Sequence, residues 1–290
     1  MLNFALYAIT AFIWGSTWLA IKYQLGVVDP LVSVAYRFLL SAILLLIYCH
    51  VAGLNLRYTL RDHAHIALQG ILLFGVNYWF VYTAETELPS GLTAVIFSMI
   101  VLLNIINSAI FLKTKIQTNV IAGALVGLLG IFIIFKDEIL QFDLQNQTAV
   151  AFLLCLFSAV SASLGNIASA YNQKKHLPVV QTNAFGMLYG STVMILISLA
   201  LGKPLDFEVS AGYIGSLFYL SVFGSIIAFT AYLTLIGRIG ADRAGYIALI
   251  FPVIALTLST IFENYIWTLP AVLGMILILF GNFLVIRKAH

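Results

Sequence analysis

The sequence predicts an all-α integral membrane protein of ten transmembrane helices arranged as two inverted five-helix repeats. Three observations lead there. Hydrophobic residues make up 62% of the 290-residue chain and charged residues only 9%, with a mean hydropathy of +1.05. The few charges gather in short breaks between apolar runs, and the two halves of the chain echo each other. A soluble domain usually carries about a quarter charged residues, so this surface is built to face lipid.

A spanning helix needs roughly 20 apolar residues, which leaves room for about ten. The runs fall at 3–22, 31–51, 64–84, 90–112, 117–136, 148–171, 179–201, 211–236, 242–262 and 268–287. Turn formers mark the breaks: Asp29-Pro30, Pro89-Ser90-Gly91, Pro178, Gly202-Lys203-Pro204, Gly240 and Pro270. Met1 leads straight into the first run with no basic leader, so that run reads as a retained span. No loop is long enough for a soluble domain.

Basic residues in the loops sort by side. With the N-terminus inside, Arg57, Arg61, Lys113, Lys115, Lys174, Lys175, Arg238, Arg243, Arg287 and Lys288 face the cytoplasm, against Lys22, Lys136 and Lys203 outside. Ten against three is a strong positive-inside bias, and it places both termini in the cytoplasm. Asp29, Glu85, Glu87, Asp137, Glu138, Asp143, Asp206, Glu208 and Glu263 fall in outer loops. The basic residues form no stripe that would suit a nucleic acid. Cys49 and Cys155 sit in apolar runs as small buried hydrophobes. No cofactor or metal site is expected. Asn146-Gln147-Thr148 matches a glycosylation sequon but reads as a chance match.

The halves align at an offset of 151. Gly123 and Gly130 match Gly274 and Gly281, Lys136 matches Arg287, and the turn 89–94 falls on 240–245. Residues 1–138 and 148–290 are therefore read as the two repeats. Each has an odd number of spans, so the second enters from the opposite side. Inverted repeats in transporters place the substrate site at the midplane between halves.

Several motifs resemble the EamA-type members of the drug/metabolite transporter superfamily. They are Trp14-Gly15-Ser16 with Ala20-Ile21-Lys22, then Arg37-Phe38-Leu39-Leu40, the segment Ala84 to Ala94, Gly240-Ala241-Asp242-Arg243-Ala244, Phe251-Pro252-Val253-Ile254-Ala255 and Phe262-Glu263. One departure is Phe111-Leu112-Lys113, where the family often has a glutamate. The resemblance implies a central cavity, a small-molecule substrate and alternating access in a bacterial inner membrane. It implies transport of metabolites, amino acids or drug-like molecules, with export the expected direction. Oligomeric state is left open.

Polar residues inside spans are costly and tend to face the bundle interior. Asn77, Tyr78 and Tyr82 in the third helix, Asn104 in the fourth, Asn166 in the sixth and Trp14 in the first are the candidate substrate contacts. Tyr82 is alternatively an interfacial anchor, and the asparagines alternatively bond between helices, the preferred role for Asn107 and Asn183. The partners of Asn77, Tyr78 and Tyr82 in the eighth helix are Ala228, Phe229 and Leu233, so the third helix is expected to supply more of the site.

Arg37, roughly 9 Å into the second helix at 1.5 Å per residue, has two open roles. It attracts an anionic group, or it pairs with Asp29, Glu85 or Glu87; the ion pair is preferred. Gly123 with Gly127, and Gly186 with Gly190, permit close helix approach, as does the stripe Ser158, Ala162, Gly165 and Ser169. Pro252 removes a backbone hydrogen bond and is read as a kink and candidate hinge. With no Asp or Glu deep in any run, and His50, His63 and His65 at the cytoplasmic edge, uncoupled transport or exchange is expected. A channel, or a non-transporting scaffold or receptor, is the alternative; H-E-x-x-H and G-x-S-x-G are absent from the sequence.

Overall fold

The computed structural model describes residues 2–114, 118–134, 136, 146–240, 244 and 247–286. All regular structure among them is helical. We number the rods α1 (Leu2–Lys22), α2 (Pro30–Val51), α3 (Leu60–Glu85), α4 (Ser90–Leu112), α5 (Thr118–Ile134), α6 (Gln147–Lys174), α7 (Val179–Ala200), α8 (Ala211–Ile239), α9 (Ile247–Phe262) and α10 (Leu269–Ile286). Seven of these, α1 to α4 and α6 to α8, are long and apolar enough to cross a bilayer. The apolar stretches Ile121–Ile134, Ile250–Phe262 and Leu269–Gly281 are shorter. Of the residues in the charge tally, Lys115, Asp137, Glu138, Asp143, Arg243, Arg287 and Lys288 lie outside the described residues, as do positions 241–243 and 245 of the second small-residue turn.

Local chemistry fixes the helix ends. Asp29 caps α2 by accepting from Leu31 N at 3.0 Å, with Pro30 at the first helical position where its missing N–H costs nothing. Thr59 and Asp62 form a capping box, so α3 begins at Leu60 rather than 64. Its far end also differs from the sequence reading. The helix continues through Glu85, whose side chain is buried and not in an outer loop. Asn146 of the sequon caps α6 through a bond from Ala149 N at 3.3 Å. Extra polar turns carry α6 to Lys174, because Asn172 finds Gln69 of α3 at 2.9 Å and Gln173 finds the Leu233 carbonyl of α8 at 3.0 Å.

Two helices carry wide π-helical turns at matching places, Ile71–Val76 in α3 and Leu220–Ile227 in α8. Such turns leave carbonyls without a regular partner, and side chains from neighbouring helices supply one. Ser161 of α6 donates to Leu72 O at 2.7 Å, Trp14 of α1 donates to Gly224 O at 3.3 Å, and Ser41 of α2 donates to Ser221 O at 3.1 Å. The fourth helix is also interrupted, at Ser98 and Met99, whereas α9 runs helical through Pro252.

Helix pairing follows small residues. The packing of α5 on α10 is backbone against backbone: a Cβ on Gly281 would lie 2.5 Å from Gly123 O and 2.7 Å from Gly127 N. A Cβ on Gly130 would lie 2.5 Å from Gly274 O, and one on Gly274 the same distance from Gly130 O. Gly70 of α3 and Gly186 and Gly190 of α7 meet in the same manner. On α6, Gly165 faces Leu73 of α3. Other pairings include α2 on α7, α4 on α9, α1 on α8 and α9, and α6 on α3 and α4. Apolar side chains such as Phe4, Phe12, Leu125 and Ile276 remain exposed on the outer surface of the bundle, as expected when the surrounding solvent is lipid.

Candidate functional site

A cavity of about 670 Å³, including its mouth, lies where α1, α3 and α4 meet α6, α8 and α9. Its wall is mainly aromatic: Trp14 and Trp18 from α1, Tyr78 from α3, Phe97 from α4, Phe229 and Tyr232 from α8, and Phe251 from α9. These rings support one another. Trp14 sits 5.0 Å from Phe229 and 4.8 Å from Tyr232 between centroids, and Trp18 stacks on Phe251 at 5.9 Å. Such contacts hold large side chains in fixed orientations with little rotamer freedom to lose. Phe97 and Ile100, which flank the interruption in α4, both reach the wall.

Polar groups are few and placed apart, as in small-molecule pockets generally. Thr17, Asn77 and Asn166 line the cavity. Asn77 spends its amide donor on Leu73 O, a π-turn carbonyl, at 3.1 Å, which leaves its buried Oδ1 unpartnered. The Asn166 amide donates to Asn104 Oδ1 at 3.3 Å and to the Tyr232 hydroxyl at 3.4 Å, and its own Oδ1 has no partner. Trp18 Nε1 is likewise buried without a partner. One N–H donor and two carbonyl acceptors are thus unengaged among the lining side chains.

The structure sorts the sequence candidates by position. Trp14, Asn77, Tyr78 and Asn166 line the cavity. Asn104 stands one shell behind, fully buried, where it orients Asn166. Tyr82 is also fully buried and away from the wall. It is not at an interface; its hydroxyl donates to Gln24 Oε1 at 2.7 Å and accepts from Arg37 Nη1 at 3.3 Å. Asn107 bonds across helices to Ser163 Oγ at 2.8 Å, and Asn183 receives a long contact of 3.5 Å from Gln69. Gly123 and Gly127 lie in the α5–α10 contact, and Pro252 sits beside the lining Phe251. The third helix supplies four lining residues to the eighth helix's two.

The ion pair expected for Arg37 does not form. Among the described residues no carboxylate lies within 4.0 Å of its guanidinium. Arg37 is instead fully buried, with Nε on Ser225 Oγ at 3.0 Å and its Cζ 4.5 Å above the Tyr78 ring. Two of the acids that the sequence set in outer loops are engaged elsewhere, Asp29 with Lys203 and Glu263 with Ser90 and Lys22. Glu263 accepts from Ser90 N at 3.2 Å and from the Ser90 hydroxyl, and it pairs with Lys22 at 3.7 Å. Lys22 also donates to the Glu85 and Leu88 carbonyls at 2.5 and 2.7 Å. This knot ties the C-terminal ends of α1 and α9 to the α3–α4 turn. Neither carboxylate oxygen of Glu85, buried beside it, has a hydrogen-bond partner. Glu85 is the last residue of α3, at the end of the rod and not deep within it. The sequence pass missed Tyr232, Thr17 and this knot. The signal available was the small spacing of Phe229 and Tyr232 on one helical face and the shared position of Lys22 and Glu263 at helix ends.

A polytopic helical bundle with a largely apolar internal cavity and scattered polar contacts defines a membrane transporter. The comparisons agree: the model of the EamA-like transporter family matches residues 2–136 and 149–287. The chain belongs to that family. It is 33% identical over 260 residues to the "Uncharacterized inner membrane transporter YedA" of Escherichia coli strain K12, covering 89% of this chain and 80% of that one. It is 26% identical over 286 residues to an "Uncharacterized transporter" of Archaeoglobus fulgidus, covering 97% of both chains. To the "Uncharacterized transporter YoaV" of Bacillus subtilis it is 26% identical over 275 residues, covering 94% of this chain and 92% of that one. A crystal structure superposes with a TM-score of 0.71 at 19% identity, over 97% of this chain and 95% of the other, a likeness of fold. The chain is therefore a multi-pass membrane transporter. Its family implies a small-molecule substrate.

Proposed function

We propose that this protein moves a small organic metabolite, an amino acid or an amphipathic or heterocyclic compound, across the cytoplasmic membrane by alternating access, in the direction of export. The observation that carries the reading is the cavity itself, neutral, aromatic and amide-bearing, held between the two halves of the chain. In this reading ten spans form two inverted halves, 1–138 and 148–290. The pairings support it: α1 on α8 has its counterpart in α6 on α3, α1 on α9 in α6 on α4, and the α2–α7 and α5–α10 pairs each join equivalent helices. The two wide turns are equivalent as well, with Phe74-Gly75 in one and Phe223-Gly224 in the other. The positive-inside tally puts both termini in the cytoplasm, and the Lys22–Glu263 knot then closes the outer end. Trp14, Asn77, Tyr78 and Asn166 are the proposed substrate contacts, Asn104 and Tyr82 act from behind them, and Pro252 is the proposed hinge.

The test is counter-transport in proteoliposomes with a panel of labelled amino acids and heterocyclic metabolites. At least one member is expected to show saturable uptake that unlabelled compound inside accelerates, and Ala162→Trp, which fills the cavity, is expected to abolish it. Flux that rises linearly without counter-transport identifies a channel. No flux across the panel overturns the reading. Labelling of single cysteines placed in the 52–59 and 201–210 loops, from each side of the membrane, decides the orientation.

A further inference from the structure

Arg37 stands out among the buried groups. A fully buried guanidinium with no carboxylate in contact is costly, and buried charges are ordinarily paired; the buried Glu85 carboxylate acts on it only through space. Here Nε and Nη1 find neutral oxygens, on Ser225 and Tyr82, while Nη2 has no partner. The charge is placed against the cavity wall. Its Cζ lies over the ring of Tyr78, a lining residue, and the bare backbone of Gly224 brings Nη2 close to Thr17, another. A Cβ on Gly224 would lie 3.1 Å from Nη2 and 2.8 Å from the Thr17 methyl carbon, so any side chain there would fill the gap between guanidinium and wall. Arg37 is not itself part of the wall, but it neighbours two residues that are, Tyr78 directly and Thr17 across Gly224.

We infer that Arg37 is the recognition site for a carboxylate on the transported molecule, with Nη2 as the free donor and Tyr78 as the ring that turns aside to admit it. The inference rests on the cavity being the substrate site and narrows the cargo to organic acids, amino acids included. A guanidinium suits a carboxylate by shape and charge. The unengaged donor and acceptors on Trp18, Asn77 and Asn166 serve the rest of the molecule, and the aromatic wall takes its apolar body. Without cargo, the Tyr78 and Phe38 rings, the latter with its centroid 5.1 Å from Cζ, partly offset the charge by cation–π contact.

The experiment uses the purified full-length chain in detergent and follows its tryptophan fluorescence, since Trp14 and Trp18 line the cavity. The probes are benzoate and benzamide, which share shape and differ in charge. Benzoate is expected to bind about tenfold or more tightly than benzamide. Arg37→Gln is expected to erase that preference and Arg37→Lys to keep part of it. Ala162→Phe, which narrows the cavity, is expected to weaken both probes together. Equal binding of the two probes to the wild-type protein overturns the inference without recourse to any variant. So does a preference that survives Arg37→Gln. If Ala162→Phe still weakens both in those cases, the cavity reading stands and only the carboxylate site falls. If neither probe binds, or Ala162→Phe leaves binding unchanged, the cavity reading falls and takes the inference with it.

Discussion

The contact between α3 and α7 makes a quantitative prediction. An ideal Cβ on Gly70 would fall 2.1 Å from the Gly186 carbonyl oxygen and 2.5 Å from its Cα. Real contacts of this kind stay beyond 3.0 Å, so Gly70→Ala must part the two backbones by at least 3.0 − 2.1 = 0.9 Å. Both partners are main chain and have no rotamer to yield, which puts the cost at the upper end of the range for overpacking, about 3 kcal/mol. Alanine returns about 1 kcal/mol through its better helix propensity, leaving a net loss of about 2 kcal/mol. Gly215 in α8 is the control, because nothing lies within 4 Å of the Cβ it would gain; Gly215→Ala should stabilise by up to about 1 kcal/mol. The two variants should differ by about 3 kcal/mol, or roughly two orders of magnitude in the folding equilibrium. Equilibrium unfolding in mixed micelles, followed by circular dichroism, measures this. A Gly70→Ala protein as stable as wild type would refute the reasoning about backbone contact.

Three further outcomes are expected. Glu263→Gln keeps an acceptor for Ser90 but loses the charge opposite Lys22; a cysteine placed at Ile21 should then be labelled about two- to fivefold faster, the measure of a pair worth about 0.5–1 kcal/mol, and an unchanged rate removes the knot from gating. Pro252→Ala restores a helix hydrogen bond in α9 and should shift the ratio of inward- to outward-open protein as read by paired spin labels; an unchanged ratio leaves Pro252 a static feature. Lys203 is held above the ordinary lysine value of 10.5 by the Asp29 carboxylate, 2.9 Å away. A raised folded value means that the contribution is complete below the ordinary lysine value and is lost only as pH climbs past the raised one, so thermal stability of wild type and Lys203→Met should run parallel between about pH 6 and 9. A difference that changes within that window would show Lys203 titrating elsewhere.

The rods were legible because lipid demands long apolar helices, and turn residues such as Asp29-Pro30 and Pro89-Ser90-Gly91 punctuate them. The start of α3 was also written in the sequence, as Thr59-x-x-Asp62, but its polar first turn hid it from an apolar window. The site was legible only in part. Trp14, Asn77, Tyr78 and Asn166 stand out as polar or amphipathic groups at membrane depth, and each reaches the wall. Tyr82 has the same chemistry and the same helix, yet its burial depends on Gln24 and Arg37, two residues distant in sequence. The arrangement of Arg37 was hidden for the same reason: its partners Ser225 and Tyr82 are 188 and 45 positions away, and periodicity within one helix carries no information about them. Asp29 and Glu85 were attractive partners because both lie toward the same end of the rods as Arg37, but Asp29 pairs with Lys203 and Glu85 is enclosed at the end of α3.

The wide turns of α3 and α8 differ in length, and the difference has a consequence for the side chains beyond them. The first spans six residues and the second eight. Phe74-Gly75 and Phe223-Gly224 are accordingly 149 apart, while the segments that follow match at 151. A wide turn absorbs added residues by local widening, so the helix beyond it keeps its facing: Tyr78 and Phe229, each just past turns that differ by two residues, both line the cavity. Length changes at these two places are therefore tolerated without turning the lining side chains away from the cavity. Removing one residue from Ile71–Val76 would tighten the turn and leave Asn77 and Tyr78 on the cavity, whereas the same deletion in a regular stretch of helix would rotate everything beyond it by about 100°.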